Sequence, residues 1–229
     1  QTNVYADTLK GQPAFHNVVI FIKFSDETEY VAPYNLDFYE DLFNSTSSPS
    51  LKGYYDEVSY NQLDVTSILA SENNTIIFYE DDHPRSYYQP HSTDNEDGYL
   101  ASQQRPREHE LLKNAINYIN DLAIIDPSIN LDTNNDGEID SLTFLVSGER
   151  TEWNTLLWPH KWDLYTYRTG DNFTADAPRI NGVGAYIYTF ELLGNTQGDS
   201  SNTTLGTVAH EMFHLLGAPD LYHYYSDDW

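Results

Sequence analysis

The chain has 229 residues, no cysteine, and 36 acidic against 11 basic side chains, for a formal net charge of −25. That length suits one large domain with a full core, disulfides are excluded, and no apolar run approaches the ~20 residues a membrane span needs. The charge argues against nucleic acid and anionic membranes as partners, which demand clustered Lys and Arg; it fits bound cations and simple solubility equally well.

Residues 1–13 are polar without period and read as a lead-in segment ahead of a single domain over residues 14–229. Phe15 to Phe24, FHNVVIFIKF, is apolar and β-branched over a strand's length, which predicts a central strand buried on both faces. Residues 35–44 and 49–60 have helical spacing, with Ser50 placed to cap the second helix and Leu51, Tyr54, Tyr55 and Val58 as its apolar stripe. LDVTSILA alternates as a second strand and Thr75 to Glu80 as a third. The tyrosines of this half read as core filler rather than a binding cage.

Residues 81–108 mix Pro, charge and aromatics and predict a long surface loop, with His83 and His91 lone and exposed. Leu111, Leu112, Ala115, Ile116, Ile119 and Leu122 recur on one face of a helix running from Arg107 to Ile125, which Pro127 ends. Asp132, Asn134, Asp136 and Asp140 then alternate around Gly137, with Glu138 offering its carbonyl. This is the pattern of an oxygen cage for calcium. The match is partial, because Thr143 stands where a full helical calcium loop has its bidentate Glu; the other reading is an Asx-rich turn that needs no metal.

SLTFLVSG, from Ser141, is a strand; the block around Trp153, Trp158 and Trp162 contains His160, which can face a cleft or pack as a structural side chain. Gly182 to Leu193 alternates as a strand and leads through a polar loop to a helix that Thr203 or Thr204 can cap. On that helix His210 and His214 are four apart, so their imidazoles share one face and can grip one metal ion. Glu211 between them can take a proton from a water there. A catalytic zinc needs a third protein ligand. Gly217 stops the helix and turns the chain, and Asp220 follows six residues after His214, close enough to complete a His210, His214, Asp220 set.

HEMFHLLGAPDLYHY resembles the metal-binding motif of the immune inhibitor A family of secreted bacterial metalloproteases, His-Glu-x-x-His-x-x-Gly-x-x-Asp. GQPAFHNVVIFIKFSD, SLKGYYDEVSYNQLDV, LDTNNDGEIDSLTFLVSG and LLWPHKWDLY resemble further blocks of that family in the same order, so the likeness runs from about residue 11 to about residue 225. The resemblance implies a secreted zinc endopeptidase acting on protein or peptide substrates, with His210, His214 and Asp220 on zinc and Glu211 as base. It implies a zincin-like α/β fold: a twisted mixed sheet over long helices, with residues 184–190 as the sheet edge that pairs with substrate. The family pattern continues past Trp229, which implies a catalytic domain incomplete at its C-terminus. No oxyanion-stabilising residue can be named from the motif; Tyr222 and His223 are the candidates near it. The alternative reading is a non-catalytic surface or adhesion module stabilised by metal.

Overall fold

Strand β1 (Phe15–Phe24) occupies the middle of a six-stranded sheet, with Val18, Val19, Ile20, Phe21 and Ile22 fully buried. The computed structural model describes residues 14–153, 155–200 and 202–220; the lead-in segment and residues 221–229, including Tyr222 and His223, lie outside the described residues. β2 (Val65–Leu69) pairs with the first half of β1 and β3 (Phe78–Asp81) with its last four residues, while β4 (Ser141–Val146) takes its other edge, all parallel. β4 pairs in parallel with β6 (Ile187–Leu192), and β6 pairs antiparallel with β5 (His160–Asp163), which ends the sheet. Continuous apolar runs such as β1 and β4 belong in a parallel sheet covered on both faces. The architecture is therefore mixed α/β, with a mostly parallel sheet.

Among the described residues four α-helices accompany it: α1 (Leu36–Asn44), α2 (Leu51–Val58), α3 (Gln104–Asp121) and α4 (Leu205–Leu215). Ser50 caps α2, accepting from the Gly53 N–H at 2.9 Å. Side chains alternate across a strand. Since Tyr188 of β6 reaches Glu108 of α3 while Glu191 lies against Thr207 and Glu211 of α4, the two helices cover opposite faces of the sheet. A buried polar row crosses the sheet interior. Asn17 accepts from Ser141 Oγ at 3.0 Å and Thr143 Oγ1 at 2.9 Å, and donates to Ser67 Oγ at 3.2 Å. Its members satisfy one another, which is how polar groups persist in a core.

Several boundaries differ from the sequence reading. The strand expected over Thr75–Glu80 is broken at Ile77: Thr75–Ile76 folds back on Ser71–Glu72 through Asn73 and Asn74, both at positive φ, and only β3 joins the main sheet. α3 starts three residues before Arg107, because Pro106 is accommodated in a first helical turn, where an N–H is spare. It ends at Asp121 rather than Ile125, where Ala123 adopts φ 53°, and Leu122 is 45% exposed rather than on the buried face. The loop over 81–108 contains a 3-10 turn, Arg85–Tyr88, that buries Tyr88. Arg107 fastens it, donating to the carbonyls of Tyr87 (2.6 Å) and Asp97 (2.8 Å). Of the tyrosines in the first half, Tyr39 and Tyr55 fill the core, whereas Tyr60 is exposed, and Tyr54 and Val58, expected on the apolar stripe of α2, are exposed as well. Among the described residues no helix is long and apolar enough to cross a membrane.

Candidate metal centre and cleft

α4 begins at Thr204, whose hydroxyl accepts from the Thr207 N–H while Thr207 reaches back to the Thr204 N–H. This reciprocal cap fixes the first turn. Val208, Ala209, Met212 and Leu215 bury one side of the helix, and the Tyr55 hydroxyl of α2 donates to the Ala209 carbonyl at 2.9 Å. Phe213, outside that buried side, is 39% exposed. The remaining face carries His210 and His214.

Gly217 adopts φ 89°, a left-handed conformation that lets the chain turn back under the helix end. The Gly217 N–H donates to the His214 carbonyl at 3.0 Å and the Ala218 N–H to the Phe213 carbonyl at 3.1 Å. The turn returns the Ala218 carbonyl to His214, where it accepts from Nδ1 at 2.8 Å. That bond leaves the Nε2 lone pair of a neutral His214 pointing the other way, at the site. Asp220 Oδ1 stands 3.2 Å from His214 Nε2 and 3.3 Å from His210 Nε2, and the two Nε2 atoms are 3.2 Å apart. Among the described residues this is the one group of three or more His, Cys, Asp or Glu side chains whose ligand atoms converge.

The donor set fits a zinc ion. Two imidazole nitrogens and a carboxylate oxygen are ordinary zinc ligands, and tetrahedral bonds of about 2.0–2.1 Å place ligand atoms about 3.3 Å from one another. Three electron-rich atoms at such mutual distances repel unless a proton or cation lies among them. Glu211 is buried beside the group, with Oε1 3.9 Å from His210 Nε2, too far to be a fourth member of the cluster. Burial pushes its carboxyl above the usual carboxylate range, against the opposing pull of His210, His214 and His160.

The four residues open onto a cleft of about 580 Å³ whose other wall is the segment from Arg150 to Lys161, leading into β5. This corrects the expected substrate edge. Residues 187–192 are paired on both sides and buried throughout, because Thr189 and Glu191, which lend the strand its alternation, face α4 rather than solvent. Among the described residues the sheet ends at β5 on the side next to α4. His160 is not packed among tryptophans. Its ring stacks on Phe190 with centroids 5.1 Å apart, and Nε2 lies 3.1 Å from Glu108 Oε1 and Nδ1 2.6 Å from the Trp158 carbonyl.

Glu108 escaped the sequence reading, although its position, four residues before Leu112 and seven before Ala115, places it on the buried stripe of α3. It is fully inaccessible and accepts from Arg105 Nη1 at 2.9 Å, from His160, and from the Tyr188 hydroxyl. Burial alone would raise its pKa, but His160 and Arg105 outweigh it and hold the carboxylate below its usual value. Arg105, Arg150 and Lys161 of the cleft, and Glu191 behind Glu211, were also not singled out by any motif.

The candidate calcium loop is organised by its own backbone. Asp132 accepts from the N–H groups of Asp136 (3.0 Å) and Gly137 (2.9 Å), Asn134 from that of Asp136, and Asp136 from that of Glu138 (2.9 Å). Asp140 turns away to accept from the N–H groups of His16 (2.9 Å) and Thr133 (3.0 Å), and Glu138 pairs with Arg168. These four carboxylates do not converge as the His210 group does; the geometry is that of an Asx-rich turn. His83 stacks on Tyr87 and bonds Asp81, and His91 lies exposed; neither belongs to a ligand cluster among the described residues.

The chain matches no protein-family model and no curated protein sequence.

Proposed function

We propose that this chain is a zinc-dependent endopeptidase, and the observation that carries the proposal is the mutual 3.2–3.3 Å approach of His210, His214 and Asp220 with Glu211 beside them. Zinc bound there supplies a water of pKa near 7 and polarises the scissile carbonyl. Glu211 takes the proton of the attacking water and passes it to the leaving amine. The exposed edge of β5, on the wall facing α4, offers main-chain groups for an extended peptide to join as a further strand. A parallel sheet with one antiparallel edge strand beside the metal-binding helix agrees with a zincin-like domain, and the likeness of HEMFHLLGAPDLYHY to the immune inhibitor A motif supports a secreted enzyme of that kind.

Zinc content per chain and peptide hydrolysis, measured on the wild type and on Glu211→Gln, test the proposal. The expected result is about one zinc per chain in both proteins, with hydrolysis lower in the variant by about 10²- to 10⁴-fold. A variant as active as the wild type, or equal inactivity of both with zinc in place, favours the metal-stabilised surface module instead.

A further inference from the structure

The cleft gathers three of the chain's eleven Lys and Arg residues, Arg105, Arg150 and Lys161, together with His160. In a chain with 36 acidic side chains, such a cationic wall reverses the average surface. The fold holds these groups in place. Arg105 donates to both oxygens of Glu108 and lies 4.4 Å over the ring of Trp162; Arg150 lies 5.4 Å from the centre of Trp158, which lines the same cleft. His160 has an acceptor at each ring nitrogen, a carboxylate at Nε2 and a carbonyl at Nδ1, an arrangement that favours the protonated ring. With His160 protonated, the half-buried Arg105 and His160 outnumber the buried Glu108 carboxylate by one charge.

Lys161 adds another charge, partly withdrawn from water. Burial lowers its pKa, with Asp163 opposing, and an anion brought to the cleft would favour its charged form. Charges more than about 8 Å away are screened at physiological salt, so this wall, rather than the −25 total, decides what binds beside it. Resting on the endopeptidase reading, we propose that the wall is a subsite for a carboxylate next to the scissile bond: a Glu or Asp side chain, or the substrate's own C-terminus.

The test uses zinc-loaded protein and quenched peptides carrying Glu, Gln or Lys at each of the positions flanking the cleaved bond, with free and amidated C-termini. Glu at one position should raise kcat/KM over Gln by about 10- to 100-fold, the strength of hydrogen bonds to a charged group. That ratio should approach one in the double variant Arg150→Gln, Lys161→Gln, and Lys161→Glu should shift preference toward Lys, a gain that misfolding cannot produce. A preference that survives amidation assigns the carboxylate to a side chain; one that vanishes assigns it to the chain end. Binding of uncleaved Glu and Gln peptides to Glu211→Gln, read by tryptophan fluorescence, should show the same ratio in Kd. Equal rates and equal Kd for Glu and Gln at every position overturn the carboxylate subsite. If those Gln peptides are still cleaved and Glu211→Gln stops it, the endopeptidase reading stands alone; if no peptide is cleaved, both fall.

Discussion

His160 on β5 and Glu108 on α3 meet at 3.1 Å, joining the edge strand to a helix on one face of the sheet, at the margin of the cleft. The contact is an ion pair under cover. Burial lowers the pKa of His160, but the charge and hydrogen bond of Glu108 outweigh it and, despite the nearby Arg105, leave the pKa raised.

The pair makes stability depend on pH in two directions. A group whose folded pKa is raised contributes fully below its unfolded value, near 6.5, and loses that contribution as pH climbs through the folded value. Glu108, held low, contributes above its ordinary value near 4.5 and loses it as pH falls through the folded one. Both contributions are therefore complete between about pH 4.5 and 6.5. His160→Gln should lower unfolding free energy by about 1–3 kcal/mol in that window, with the difference shrinking at higher pH. Urea unfolding of both proteins from pH 5 to pH 9 checks this; a pH-independent difference would assign His160 to packing on Phe190.

Gly217 and Gly206 should respond to alanine with opposite signs. At Gly217, φ 89° imposes about 1–2 kcal/mol on any L side chain. Because Asp220 and the Ala218 carbonyl reach the histidines through this turn, zinc affinity should fall as well, by about tenfold. Gly206 is exposed in the first turn of α4, and an added Cβ would come no closer than 3.7 Å to Thr204 Oγ1. There alanine should stabilise by about 0.5–1 kcal/mol. Thermal midpoints and a metal titration on the two variants separate the effects.

What was legible in the sequence is what short-range chemistry decides. The caps at Ser50 and Thr204, the stop at Gly217 and the i, i+4 spacing of His210 and His214 each involve residues within a turn or two of one another. The sheet edge depends instead on pairing across the chain. β5 is four residues long, follows a proline, and becomes the edge only because it pairs antiparallel with β6 some 27 residues later. Thr189 and Glu191 made β6 resemble a half-exposed strand, whereas α4 covers them. Glu108 was obscured by its charge: a buried carboxylate is tolerated only because Arg105, one turn back on the same helix, is joined by His160 and Tyr188 from two distant strands.

Asp140 bears on how the Asx-rich loop is held. Its carboxylate accepts from the His16 N–H of β1 and from the N–H and hydroxyl of Thr133, so it ties the loop to the start of the central strand. Asp140→Ala strands those donors and should cost about 2 kcal/mol. Because the partners are protein groups, the loss should be the same with and without a calcium chelator. Unfolding curves in both buffers check it; a loss confined to the chelator-free sample would assign Asp140 to a bound cation.

Glu191 is the buried carboxyl whose removal should help folding. It is 1% exposed on β6, Oε1 has no hydrogen-bond partner among the described residues, and Glu211 lies close enough to repel its charge. Burial first, and Glu211 second, push its pKa well above the ordinary 4.5, while Thr207 pulls weakly the other way. The sign follows from proton uptake. Folding is unpenalised while the unfolded chain is also protonated, below about pH 4.5, and becomes costlier as pH rises toward the folded value. Glu191→Gln keeps the shape without the charge. It should match the wild type near pH 4 and exceed it at pH 8, by on the order of 2 kcal/mol. Unfolding free energies at the two pH values test this, and a variant that is weaker at pH 8 would mean that the ionised carboxylate has a partner holding it in place.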